Sequence, residues 1–85
     1  HLNEQIRYEF IAELPARTVL GLYYYLLGCQ RHYPDSVLTE HWDVGIGLCK
    51  ERLSGLGYGF VSLRMGYPPL VVSPTGRVVN VKACD

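Results

Sequence analysis

The sequence predicts a single α+β domain, with about four helices followed by a small antiparallel β sheet. Three observations carry this expectation. Apolar residues recur at helical spacing through most of the first 56 positions. Gly55, Gly57 and Gly59 then interrupt that pattern. Beyond them, short β-prone runs alternate with turns rich in proline and glycine.

Eighty-five residues, 48% of them hydrophobic, suffice for one core and for no second domain. No repeat, low-complexity tract or linker divides the chain. The first helix is expected from an Asn3 cap to about Leu14, with Ile6, Phe10 and Leu14 on one face and Ile11 beside them. Pro15 either bends this helix or opens a second at its first position. The proline-free stretch after it favours a new helix, Pro15 to about His32, with Val19, Leu22, Tyr23, Leu26 and Leu27 as its apolar face. Tyr23, Tyr24 and Tyr25 point in three directions on such a helix. They either pack the core and its rim or, together with Ile6 and Phe10, form a dimer surface, for which tyrosine is well suited.

Tyr33-Pro34-Asp35-Ser36 breaks the chain, and Asp35 or Ser36 can cap the next helix. A short third helix is expected over about Val37 to Trp42. Asp43-Val44-Gly45 reads as a tight turn, and a fourth helix is expected from about Ile46 to Leu56. Three β-prone runs come next: Phe60 to Arg64, Leu70 to Val72 and Arg77 to Lys82. Pro68-Pro69 places Met65 to Pro69 in a loop. Ser73-Pro74-Thr75-Gly76 has the residues of a β-turn, so the last two runs should form a hairpin.

Net charge is zero but unevenly placed. Residues 1–45 balance at minus three, and residues 46–85 at plus three, through Lys50, Arg52, Arg64, Arg77 and Lys82 against Glu51 and Asp85. Cys29, Cys49 and Cys84 are an odd, sparse set, which fits reduced thiols and a cytoplasmic setting better than a disulfide scaffold. The longest apolar stretch, Val19 to Gly28, is too short to span a bilayer, and no secretory signal pattern appears.

Leu38, Glu40, Val44, Cys49, Leu53 and Leu56, followed by Phe60-Val61, have a spacing that resembles winged helix-turn-helix proteins, a superfamily used mostly to bind duplex DNA. The resemblance covers about Pro15 to Lys82. It implies N-terminal helices over 1–33, a helix-turn-helix over 37–56 and a β wing over 60–82. It also implies that the contact of Leu38, Trp42 and Val44 with Cys49, Leu53 and Leu56 sets the angle of a groove-reading helix. On that helix Lys50 would meet a phosphate or guanine, Glu51 a cytosine amino group and Ser54 a phosphate. Arg77 at the wing, with Arg64 and Lys82, would add salt-dependent phosphate contacts. The chain departs from the family where Gly45-Ile46-Gly47-Leu48 open this helix in place of Ser, Thr, Arg or Gln.

The expected function is therefore that of a small transcriptional regulator, a homodimer on duplex DNA. The alternative is the same fold used as a protein-interaction module, such as an adaptor or inhibitor. Zero net charge, Ile46, Leu48 and the tyrosines favour the alternative. No cofactor, metal or membrane is expected. Cys29, His32, His41 and Cys49 are zinc ligands by type, but Cys29 and Cys49 fall on apolar helix sectors and no second tight pair accompanies them. No nucleophile signature or phosphate-binding glycine loop is present, so an enzyme is not expected.

Overall fold

The computed structural model describes residues 8–79. Within them the chain forms one 3-10 turn, Ile11–Glu13, then α1 (Ala16–His32), α2 (Thr39–Gly55), β1 (Gly59–Val61) and β2 (Leu70–Val72). The α+β class is as the sequence predicts, with two α-helices in place of the expected four or so. Two differences account for the change.

The first lies before Pro15. Asn3, Ile6 and the start of the expected first helix lie outside the described residues. From Tyr8 to Leu14 the chain is not α-helical, and its one helical element is the 3-10 turn. Pro15 disfavours helical backbone in the residue before it, and Leu14 is extended at φ −79° and ψ 147°. Pro15 itself is the N-cap of α1, so the boundary expected there lies within one residue of the observed one.

The second difference removes the expected tight turn. Asp43, Val44 and Gly45 are helical, and α2 runs unbroken from Thr39 to Gly55. The separate helices expected at Val37 to Trp42 and Ile46 to Leu56 are thus one. Gly45 does not take a left-handed conformation. It is buried, and its missing side chain admits Tyr8 and Leu26: a Cβ there would lie under 3.0 Å from the Tyr8 ring and from Leu26 Cδ1. The glycine serves a close approach between elements and not a turn.

α1 and α2 form an antiparallel hairpin. Gln30 Nε2 reaches the Thr39 carbonyl at 3.4 Å near the connecting loop, while at the opposite end Arg52 Nε and Nη2 donate to the Leu14 carbonyl at 3.1 and 3.0 Å. The loop is organised by Ser36, whose Oγ accepts from the Leu38 N–H at 3.1 Å and whose carbonyl accepts from Thr39 Oγ1 at 2.7 Å. α2 ends as the glycines suggest. Gly57 is left-handed at φ 95°, Gly57 N–H donates to the Ser54 carbonyl at 3.0 Å and Tyr58 N–H to the Leu53 carbonyl at 2.9 Å. These paired bonds satisfy carbonyls that the helix would otherwise leave open.

β1 and β2 pair antiparallel, with Gly59 opposite Val72, Phe60 opposite Val71 and Val61 opposite Leu70. An isolated bridge joins Val72 to Val78, and Val79 N–H donates to the Val71 carbonyl at 2.7 Å. The Ser73-Pro74-Thr75-Gly76 turn forms as expected. Gly76 N–H donates to the Ser73 carbonyl at 2.9 Å, and Gly76 sits at φ 86°. Ile11, Val19, Tyr23, Leu26, Trp42, Cys49, Leu53 and Val71 form one core, joining the 3-10 turn, both helices and the inner face of the sheet.

Candidate interaction surface

The described residues expected to touch DNA have different local partners. Lys50 turns toward the sheet, its Nζ 5.5 Å from the centre of the Phe60 ring, a cation–π distance. Glu51, one residue on, lines a cleft on the side of the N-terminal segment. Ser54 is exposed near the end of α2. Arg64 sits in the β1–β2 loop, its guanidinium 4.9 Å from the Tyr67 ring centre. Arg77 is exposed just past the turn, where its N–H donates to Ser73 Oγ at 3.2 Å. Lys82 lies outside the described residues. Arg52, the remaining cation of α2, is committed to the Leu14 carbonyl.

The tyrosines divide as well. Tyr23 is 1% exposed, in edge-on contact with Tyr24 at 5.2 Å and with Phe60 at 5.6 Å between ring centres. It joins the helices to the sheet, so of the two readings open for it, the structure has the core one. Tyr24 is half-buried against it, and Phe10 is exposed. Ile6 lies outside the described residues.

Cys29 and Cys49, expected on apolar helix sectors, are buried to different degrees, and Cys84 lies outside the described residues. Cys49 is fully buried, and burial pushes its thiol up to about 11 from 9.0. Burial likewise pushes Tyr23 up to about 12 from 10.0, helped by Tyr24 and Cys49. Cys29 is half-buried and holds the hydroxyl of Tyr25 above its ordinary pKa through a side-chain hydrogen bond. Among the described residues, no three His, Cys, Asp or Glu side chains are grouped to hold a metal.

The raised values fix a pH dependence. In the folded chain Cys49 and Tyr23 hold their protons more tightly than when unfolded, so the unfolded state loses protons first as pH rises. Their contribution to stability is complete below pH 9.0 and falls as pH climbs through the folded values of about 11 and about 12. Urea midpoints followed by Trp42 emission should therefore drop steeply above pH 9.0. In the same experiment, iodoacetamide at mildly alkaline pH should leave Cys49 unmodified until urea unfolds the chain, because only an accessible thiolate reacts.

A cleft of about 360 Å³ separates the N-terminal segment from α2, lined by Tyr8, Glu9, Ile11, Ala12, Leu48, Glu51, Arg52 and Gly55. Tyr8 anchors one wall, stacked on His41 at 4.7 Å between ring centres, with its hydroxyl donating to the His41 carbonyl at 3.1 Å. Burial raises the Tyr8 pKa, and the nearby thiols of Cys49 and Cys29 raise it further. The walls hold two carboxylates and an arginine already bound to a backbone carbonyl. They present no activated nucleophile.

Phe10, Tyr25, Tyr33, Val37 and Val44 are exposed singly elsewhere, and the remaining exposed large apolar residues lie on the sheet and in the loop between its strands. Cross-strand partners share a face, and alternate residues along a strand face opposite ways. Phe60, Val71 and Val79 point to the core, so Gly59, Val61, Leu70, Val72 and Val78 share the outer face. On it Val61, Leu70 and Val78 are 45%, 39% and 55% exposed, and Val72 is half-buried. The β1–β2 loop adds Leu63, Met65 and Tyr67, all exposed. Met65 is 99% exposed at the tip of a turn closed by the Tyr67 N–H on the Arg64 carbonyl, with Gly66 at φ 84°.

None of these seven residues stands out as a site residue in the sequence. A signal is nonetheless present in the strands: an antiparallel strand with one wet face should alternate apolar and polar residues, and Leu70-Val71-Val72 does not. No helix among the described residues is long and apolar enough to cross a membrane. Comparison with family models, curated proteins and solved structures finds no match to this chain.

Proposed function

We propose that this chain is a protein-interaction module that binds its partner through the outer face of the sheet and the β1–β2 loop. One observation carries the reading: Val61, Leu70, Val72 and Val78 form an uncharged apolar face directed away from the core. A contiguous apolar patch on a domain surface often marks an interaction site. The cations of α2 add support, because Lys50 lies against Phe60 and Arg52 binds a carbonyl of its own chain.

A second reading, duplex DNA binding by a winged helix-turn-helix regulator, is favoured by two exposed arginines, Arg64 and Arg77, and by the plus-three balance of residues 46–85. The order of helix, strand and hairpin over 39–79 agrees with that family's order, although α2 is undivided. A titration with random duplex DNA at low salt separates the readings. The interaction module should show no retention, while a photo-cross-linking residue at Met65 should give discrete protein adducts in extract. Binding that falls steeply with salt and weakens in Lys50→Ala and Arg77→Ala would replace this reading with the DNA one.

A further inference from the structure

We infer that the partner of the outer sheet face is a second copy of this chain, the two sheets stacking face to face with helices on the outside. The inference rests on the interaction reading above and names its occupant.

Three features of the face favour a copy of itself. A two-fold contact sets the same patch against itself, so any charge near the axis meets its own kind. Val61, Leu70, Val72 and Val78 carry no charge, so at these four positions a second copy opposes apolar groups to apolar groups. The chain is neutral overall, so two copies do not repel at long range. The area approaches what a dimer needs. With large side chains offering ~150–250 Å² each, the exposed parts of Val61, Leu70 and Val78 on the sheet and of Leu63, Met65 and Tyr67 in the loop between its strands amount to roughly 600 Å², short of the about 800 Å² per partner in a stable interface.

The geometry suits stacking. Sheets pack face to face when both faces are apolar, and each domain already has helices covering its inner face. The result is a four-layer sandwich of helices, sheet, sheet and helices. Met65 and Tyr67, in the loop that joins the two strands, would close over its rim, with the Arg64 guanidinium seated on the Tyr67 ring. The surface used is the sheet, and Tyr23 takes no part, since it is in the core.

The experiment is sedimentation equilibrium of the full chain over a wide concentration range. The expected result is a species of twice the 9.6 kDa chain mass, with association weakened at least tenfold in Val61→Lys and, separately, in Val78→Lys. Val44→Lys places the same charge on an exposed position of α2 and should leave the dimer intact. Helical circular dichroism and Trp42 emission, unchanged in each variant, verify that the fold survives. A wild-type chain that stays monomeric, or a dimer that withstands both sheet variants, overturns the inference. A monomer that still cross-links to another protein through Met65 does so too and leaves the interaction reading standing, whereas salt-sensitive DNA retention overturns that reading itself.

Discussion

Tyr23→Ala is expected to cost about 3–5 kcal/mol of stability, the range for truncating a large buried aromatic. A domain of this size has only roughly 4–13 kcal/mol to lose. The ring is 1% exposed and meets Phe60 of β1 and Tyr24 of α1 edge-on, so its removal opens a cavity where helices and sheet join. The loss is expected to be shared by the whole chain, because one core runs from Ile11 through both helices to Val71. Urea denaturation followed by Trp42 emission should show the midpoint fall with the slope unchanged. Tyr23→Phe keeps the ring and should stay within about 1.5 kcal/mol of wild type, the scale of a single hydrogen bond. Equal losses in the two variants would mean that the hydroxyl and not the ring matters. No loss in Tyr23→Ala would remove Tyr23 from the core.

Legibility of the sequence depends on where the information sits. The ends of α1 and α2 and the second hairpin are readable because local chemistry decides them. Pro15 cannot continue a preceding helix, Pro34 stops α1, Gly57 takes the left-handed conformation and Ser73 to Gly76 makes a turn in almost any context. Gly45 misleads because its role is not local. As a sequence signal, glycine between Val44 and Ile46 looks like a turn; only the positions of Tyr8 and Leu26, 37 and 19 residues away by numbering, reveal a close approach instead. The same limit applies to charge. Lys50 and Arg52 contribute to a positive half-sequence, yet one rests on Phe60 and the other on the Leu14 carbonyl. A charge balance along a chain counts cations without saying which are already engaged. The outer sheet face is open to a closer reading, since unbroken apolar runs in short strands ask what covers the second side.

Two glycines in one helix should respond in opposite directions to the same substitution. Glycine inside a helix costs about 1 kcal/mol relative to alanine, so by propensity alone both Gly45→Ala and Gly47→Ala should stabilise α2. At Gly47 a Cβ meets nothing within 4 Å, and the position is exposed. Gly47→Ala is therefore expected to gain about 0.5–1 kcal/mol, raising the melting temperature by a few degrees. At Gly45 the new methyl would meet the Tyr8 ring and Leu26 Cδ1 under 3.0 Å, so those side chains must move. Leu26 is in the core, and Tyr8 is held by its stack on His41 and its bond to the His41 carbonyl. Overpacking of this kind costs about 1–3 kcal/mol, which outweighs the gain in propensity over most of that range. Gly45→Ala should lower the melting temperature while Gly47→Ala raises it, and calorimetry of the two variants side by side checks both signs. If Gly45→Ala also stabilises, the close approach of Tyr8 to α2 is not a feature of the folded chain. Gly45 would then have no more role in packing than Gly47.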